Sequence, residues 1–197
     1  MRIKRITRKT KMINKKKIEK GVSMILEGIG EDVKREGLRE TPRRVAEFYE
    51  EIFCGIFENP KEELKLYSVP NQDEMIIAKK IPFYSLCEHH LLPFFGKAHI
   101  AYIPRNNKIT GFSRLSRVVE VLASRPQLQE RFTSQVADCL MQGLRPKGVL
   151  VIVEAEHLCL SMRGLKKPGS LTVTLAMRGD LRKDSIRAEA FALIKGR

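Results

Sequence analysis

"GVLVIVEAEHLCLSMRG", Gly148 to Gly164, begins with a short apolar run, Val149–Val153, and ends on a histidine, a cysteine and an arginine. The run is far too short for a membrane span, and its β-branched content marks a strand. "GVLVIVEA", "LCLSMRG" and "SLTVTLAMRG" are three successive strand candidates. Polar, chemically capable side chains placed directly after an apolar strand suggest a site at the end of a sheet.

Working outward, "MIIAKKIPFYSL" reads as an extended segment broken at Pro82. "GKAHIAYIP" puts Ala98, Ile100 and Tyr102 on one face and stops at Pro104, which makes the two segments a hairpin-like pair. "NNKITG" reads as a turn or loop. Residues 114–123 and 127–144 have helical spacing, with Pro126 between them and Leu128, Phe132, Val136 and Leu140 forming a stripe on the second. Nearer the start, Ile18, Val22, Ile25, Leu26 and Ile29 predict an amphipathic helix over 16–29. In "ETPRRVAEFYEEIF", Thr41 is the expected N-cap and Pro42 the first helical residue. Val45, Phe48, Ile52 and Phe53 form the apolar face, and Asn59-Pro60 ends the element. Two helices, a strand pair, two helices and a strand run make an α+β chain. The expected division is a basic arm over 1–15, a helical region over 16–60 and a catalytic domain over 61–197.

The 197 residues carry a formal charge of +14, unevenly spread. Residues 1–20 hold ten Lys/Arg and one Glu, which places +9 there and +5 on the rest. Such an arm is most simply a solvated tail. A nucleic-acid arm would gain from aromatics for stacking, and this segment has none. It also lacks the apolar run of a secretory signal and the serines of a transit peptide. Cysteines at 54, 87, 139 and 159 are too sparse and irregular for a disulfide framework. A reducing, cytoplasmic setting with a metal-binding or catalytic thiol is expected, with no membrane partner.

Cys87-Glu88-His89-His90 holds a C-x-x-H pair, close enough to bind one metal from a single turn. Zinc favours thiolate and imidazole, and the best third ligand is Cys159. That trio leaves a fourth position open, the catalytic pattern in which a bound water becomes acidic. If Cys159 is extended, His157 two residues earlier shares its face. Ser113 and Arg114 stand where a helix begins, with Arg117 one turn on, Arg163 after the cysteine strand and Arg44 near an earlier helix start. Guanidinium groups and helix N-termini suit phosphate. Each arginine alone reads equally as solvated surface. Glu130 can accept two N–H bonds from a guanine edge or can simply be a solvated helix carboxylate. Cys54, Cys139 and His99 read as structural residues.

Taken together these residues resemble the type I GTP cyclohydrolases. The blocks "GLRETPRRVAEFY", "CEHHLLPFFGKAHIAYIP", "GFSRLSRVVE", "RPQLQERFTSQVA", "EAEHLCLSMRG" and "GSLTVTLAMRG" occur in order between about Gly37 and Leu193. The resemblance implies Zn2+ held by Cys87, His90 and Cys159, with His157 and His89 in proton transfer. It implies GTP as substrate, with Glu130 and neighbouring Gln129 on the guanine and Arg44, Ser113, Arg114, Arg117 and Arg163 on the triphosphate. It further implies the tunnelling fold, an antiparallel sheet with paired helices. Subunits then join into a barrel, usually a homodecamer with active sites between subunits. The implied reaction opens guanine at C8, releases formate and yields 7,8-dihydroneopterin triphosphate, the first step of pterin- and folate-type biosynthesis. Arg114 stands where the family usually has lysine, and Leu175 and Leu181 stand where a small polar residue and an aromatic are common. Two rivals fit less well. A deazaguanine nitrile reductase needs a cysteine nucleophile and a nicotinamide, and has no use for the metal trio. A zinc-stabilised nucleic-acid-binding protein would want four protein ligands.

Overall fold

The structure, a computed structural model, describes residues 12–196. Most of the expected basic arm, residues 1–11, lies outside the described residues. The arm ends earlier than expected: Asn14 caps the first helix by accepting from the Lys17 amide, and Lys15 already belongs to it.

Helix α1 (Lys15–Gly28) packs on α2 (Thr41–Ile52). Thr41 is the first helical residue and not the cap, because its amide already bonds the Leu38 carbonyl in the turn that leads in. The apolar faces of both helices are only partly covered, with Ile25, Ile29 and Phe48 exposed. Short 3-10 turns at Cys54–Ile56 and Pro60–Glu63 follow.

Strand β1 (Tyr67–Ser68) pairs with β4 (Lys108–Ile109). The main sheet contains β2 (Ile76–Cys87), β3 (Pro93–Ile103), β5 (Pro126–Gln127), β6 (Gly148–His157) and β7 (Leu171–Gly179). Their order is β5-β2-β3-β6-β7, antiparallel except where β5 joins β2. Pro82 does not break β2, contrary to expectation. The irregularity falls between Ala78 and Ile81, where Lys80 adopts φ of 59° and the register shifts. At Pro82 the strand has a partner on one side only, so the missing N–H costs no ladder bond.

Strand β6 accounts for its own apolar run. Val149, Val151, Val153 and Ala155 face a core shared with α3 (Phe112–Ala123) and α4 (Gln129–Leu144). Leu150 and Ile152 face a second cluster against α6 (Asp184–Lys195). Alternation is hidden because both faces are covered. The α4 stripe behaves as expected, with Phe132, Val136 and Leu140 fully buried. Each such side chain contributes about 1.5–3 kcal/mol relative to exposure. Leu181 fills the second cluster, while Leu175 is exposed on β7. Gly96 lets β3 and β6 close up beside the site: a Cβ there would lie 1.9 Å from the Glu154 carbonyl oxygen.

The second strand candidate is corrected. "LCLS" forms a short helix, α5 (Leu158–Ser161), immediately after β6. Ser161 bonds back to the His157 carbonyl, and that turn, not a continued strand, carries Cys159.

Candidate metal and active site

Strands β2 and β3 are joined by the turn that holds the C-x-x-H pair. The Cys87 carbonyl accepts from the amides of His90 and Leu91, and the Cys87 amide donates to the Leu92 carbonyl. This curls the chain so that Cys87 Sγ and His90 Nδ1 lie 4.0 Å apart. From the end of β6, α5 brings Cys159 alongside, and the ligand atoms of all three residues fall within 4.8 Å of one another. A tetrahedral zinc with two sulfurs and one nitrogen would set these atoms about 3.5–3.8 Å apart, so the group fits a metal with a small closing movement. All four cysteines are free thiols. Burial pushes the Cys159 thiol up, and neighbouring Cys87 adds to it. Cys139 is a plain core thiol, pushed up to about 11 by desolvation.

His157 stands opposite Phe94 in the β3–β6 register, and their rings stack with centroids 4.7 Å apart and planes 2° from parallel. Burial lowers its pKa, opposed by the charge of Glu130 in the exposed first turn of α4. Its Nε2 lies 2.7 Å from Gln129 Oε1. His89 is exposed on the hairpin turn, its ring perpendicular to that of His90 and 6.1 Å away. The positive charge of Arg163 reaches Cys159.

Of the expected anion group, Ser113, Arg114, Arg117 and Arg44 make no bond to this cluster among the described residues. Ser113 and Arg114 occupy the first turn of α3, whose N-terminus has no side-chain cap. Arg117 Nη2 lies 2.8 Å from Glu58, with Glu120 and Glu63 at 3.3 and 3.7 Å. Arg114 lies 3.9 Å from Glu63. Arg44 is exposed on α2. Among the described residues, no hydrogen bond or ion pair joins these groups to the metal trio.

A second supporting pair went unread in the sequence. Arg131, in α4, binds Glu88 through Nη2 and Gln127 through Nε at 3.2 Å. The Glu88 amide donates to the Gln127 carbonyl at 3.0 Å. A charged residue wedged between two ligand positions was the available signal. Arg131 holds the Glu88 carboxyl below the usual carboxylate range.

Residues 18–195 match the GTP cyclohydrolase I family. The chain belongs to that family. It is 60% identical over 184 residues to the GTP cyclohydrolase 1 of Carboxydothermus hydrogenoformans, covering 93% of this chain and 96% of that one. With the enzyme of the same name from Pelotomaculum thermopropionicum identity is 61% over 186 residues, covering 94% and 99%. The Clostridioides difficile enzyme is 59% identical over 184 residues, covering 92% and 97%. The chain is thus an enzyme of the GTP cyclohydrolase I family, with a mixed α+β fold and a Cys-His-Cys group able to hold a metal. No helix among the described residues is long and apolar enough to cross a membrane.

Proposed function

We propose that this family member carries out a zinc-dependent hydrolysis of GTP at guanine C8. Formate leaves, and the remainder rearranges to 7,8-dihydroneopterin triphosphate. The observation that carries the reading is the convergence of Cys87, His90 and Cys159 beside the stacked, partly buried His157. Those three residues would hold the zinc, and once bound it supplies Lewis acidity toward a water molecule.

The chain's own groups divide the remaining work. His157 gives a proton to guanine N7, which makes C8 electrophilic, and is reprotonated from the added water as the ring opens. Glu130, exposed at the start of α4, accepts from the guanine edge. His89, free of the ligand set, moves protons in the later opening of the ribose. Ser113, Arg114, Arg117, Arg163 and Arg44 hold the triphosphate and orient the base. Arginine at 114 keeps the charge of the usual lysine with a planar fork in place of a point charge.

The inferred assembly is the family's: tunnelling-fold subunits joined through their sheets into a barrel, with sites between subunits in a homodecamer. Two features support it. β7 is a sheet edge whose outer face exposes Leu171, Val173 and Leu175. Among the described residues, the arginines of α3 make no hydrogen bond or ion pair to the metal trio, as expected if a neighbour's arginines complete each site. The catalytic unit in this reading is 61–197, with 16–60 as a helical region, in the cytoplasm. Incubation of purified protein with GTP, followed by oxidation, should give neopterin fluorescence and one formate per GTP. Intact GTP with metal-loaded protein sinks the proposal.

A further inference from the structure

Gln129 was expected on the guanine. Its side chain is buried, with 1% of the residue exposed, and its amide is committed within the protein. Nε2 lies 3.0 Å from the Val153 carbonyl, 3.0 Å from the Thr172 carbonyl and 3.1 Å from Thr174 Oγ1. Turned over, the amide would set its oxygen against two carbonyl oxygens, all of them acceptors. The hydroxyls agree. Thr133 Oγ1 gives its one proton to the main-chain carbonyl of Gln129 at 2.7 Å. Thr174 Oγ1, 2.6 Å from Thr133 Oγ1, must therefore be the donor of that pair. Its own oxygen is then left to accept from Gln129 Nε2.

This fixed orientation directs Oε1 at His157 Nε2, 2.7 Å away. An amide oxygen only accepts, so Nε2 must carry a proton. The stack on Phe94 fixes the ring plane. We infer that Gln129 is a positioning residue that locks His157 in its Nε2–H tautomer, so that Nδ1 is the nitrogen that exchanges a proton with substrate. The inference rests on the proposed proton-transfer role of His157. When the doubly protonated ring gives up the Nδ1 proton to guanine N7, the neutral ring left behind is the tautomer Gln129 accepts. Loss of the Nε2 proton instead would leave a lone pair facing Oε1.

The test uses full-length protein labelled with 15N-histidine, read where the ring is neutral. His157→Ala assigns the signal by its disappearance. A protonated Nε2 and bare Nδ1 are expected in the unmodified protein; a protonated Nδ1 overturns the inference whether or not any variant folds. Gln129→Met should lower kcat about 10²-fold, in the range of a general acid, with KM for GTP changed less than about threefold. A raised KM at unchanged kcat returns Gln129 to substrate contact. Gln129→Glu keeps an acceptor for Nε2–H and should recover at least about tenfold of the kcat lost in the Met variant; no recovery counts against the inference. Full turnover by His157→Ala removes the proton-transfer reading alone, since the tautomer spectrum stands independently of it.

Discussion

At one end of the sheet, Cys87, His90 and Cys159 converge within 4.8 Å, near His157, which Gln129 and Phe94 hold, and Glu88, which Arg131 holds. At the start of α3, Arg114 and Arg117 face the carboxylates of Glu58 and Glu63. In the first region the buried Gln129 and Thr133, with Thr174, assign one another's donor and acceptor roles behind His157, while His90 itself is exposed. The second is half-exposed and neutralised by its own chain. Its ion pairs are of the partly solvated kind that contribute little to stability, so a more highly charged partner can replace them at small cost. One region is built to hold geometry, the other to exchange partners.

Substitutions can break that contrast, beginning with the largest effect. Cys159→Ser should abolish metal retention and lower turnover by at least about 10³-fold, since the Lewis acid is lost with its ligand. Metal analysis and formate release read both, and full metal content would remove Cys159 from the ligand set. His157→Ala should retain metal yet lose about 10²–10⁴-fold in kcat; metal loss in that variant would make His157 a ligand. Arg131→Met frees Glu88 and Gln127, and should weaken metal affinity about tenfold, as loss of an outer support does. Unchanged affinity in a chelator competition would mean the hairpin holds its shape unaided.

Arg117→Ala tests the exchangeable region. It should raise KM for GTP about tenfold at nearly constant kcat, the loss of one charged hydrogen-bonding group. Glu58→Gln should move KM the other way, by about twofold, because it frees the same guanidinium. Equal KM values in all three proteins would show that α3 has no share in phosphate binding.

The smallest effect lies away from both regions. His99, 6% exposed on β3, has no hydrogen-bond partner at either ring nitrogen among the described residues. Burial depresses its pKa below the ordinary 6.5, with Glu154 opposing and Lys79, Lys80 and Lys97 reinforcing. The unfolded chain then takes up the proton more readily than the folded one, so stability is complete above about pH 6.5 and declines as pH falls. His99→Leu should flatten the fall in Tm between about pH 7 and 5 by a few degrees. An equal fall in both proteins would assign acid sensitivity elsewhere.

Much of this was legible in the chain. Val149–Val153 announced its strand because apolar runs of that length have few other uses, and ligand chemistry together with the family blocks picked out Cys87, His90 and Cys159, which the structure brings together. Cys159 was placed correctly in space for an incorrect local reason. "LCLS" has strand-like composition, but the helical turn in which Ser161 bonds back to the His157 carbonyl overrides it. The bonds of the Gln129 amide were not legible because they depend on Thr172 and Thr174, more than forty residues away. No local pattern encodes which carbonyls an amide will meet. The Glu88–Arg131 pair escaped for the same reason, being set by the docking of α4 beside the hairpin.

Two of the acceptors that orient Gln129 belong to β7, the last strand of the sheet. Edge strands fray more readily than interior ones. When β7 lifts, the amide loses the groups that hold it, and the histidine loses its fixed tautomer. The steadiness of the proton donor proposed above is therefore set at the sheet's margin, and whatever pairs with that margin also stiffens it.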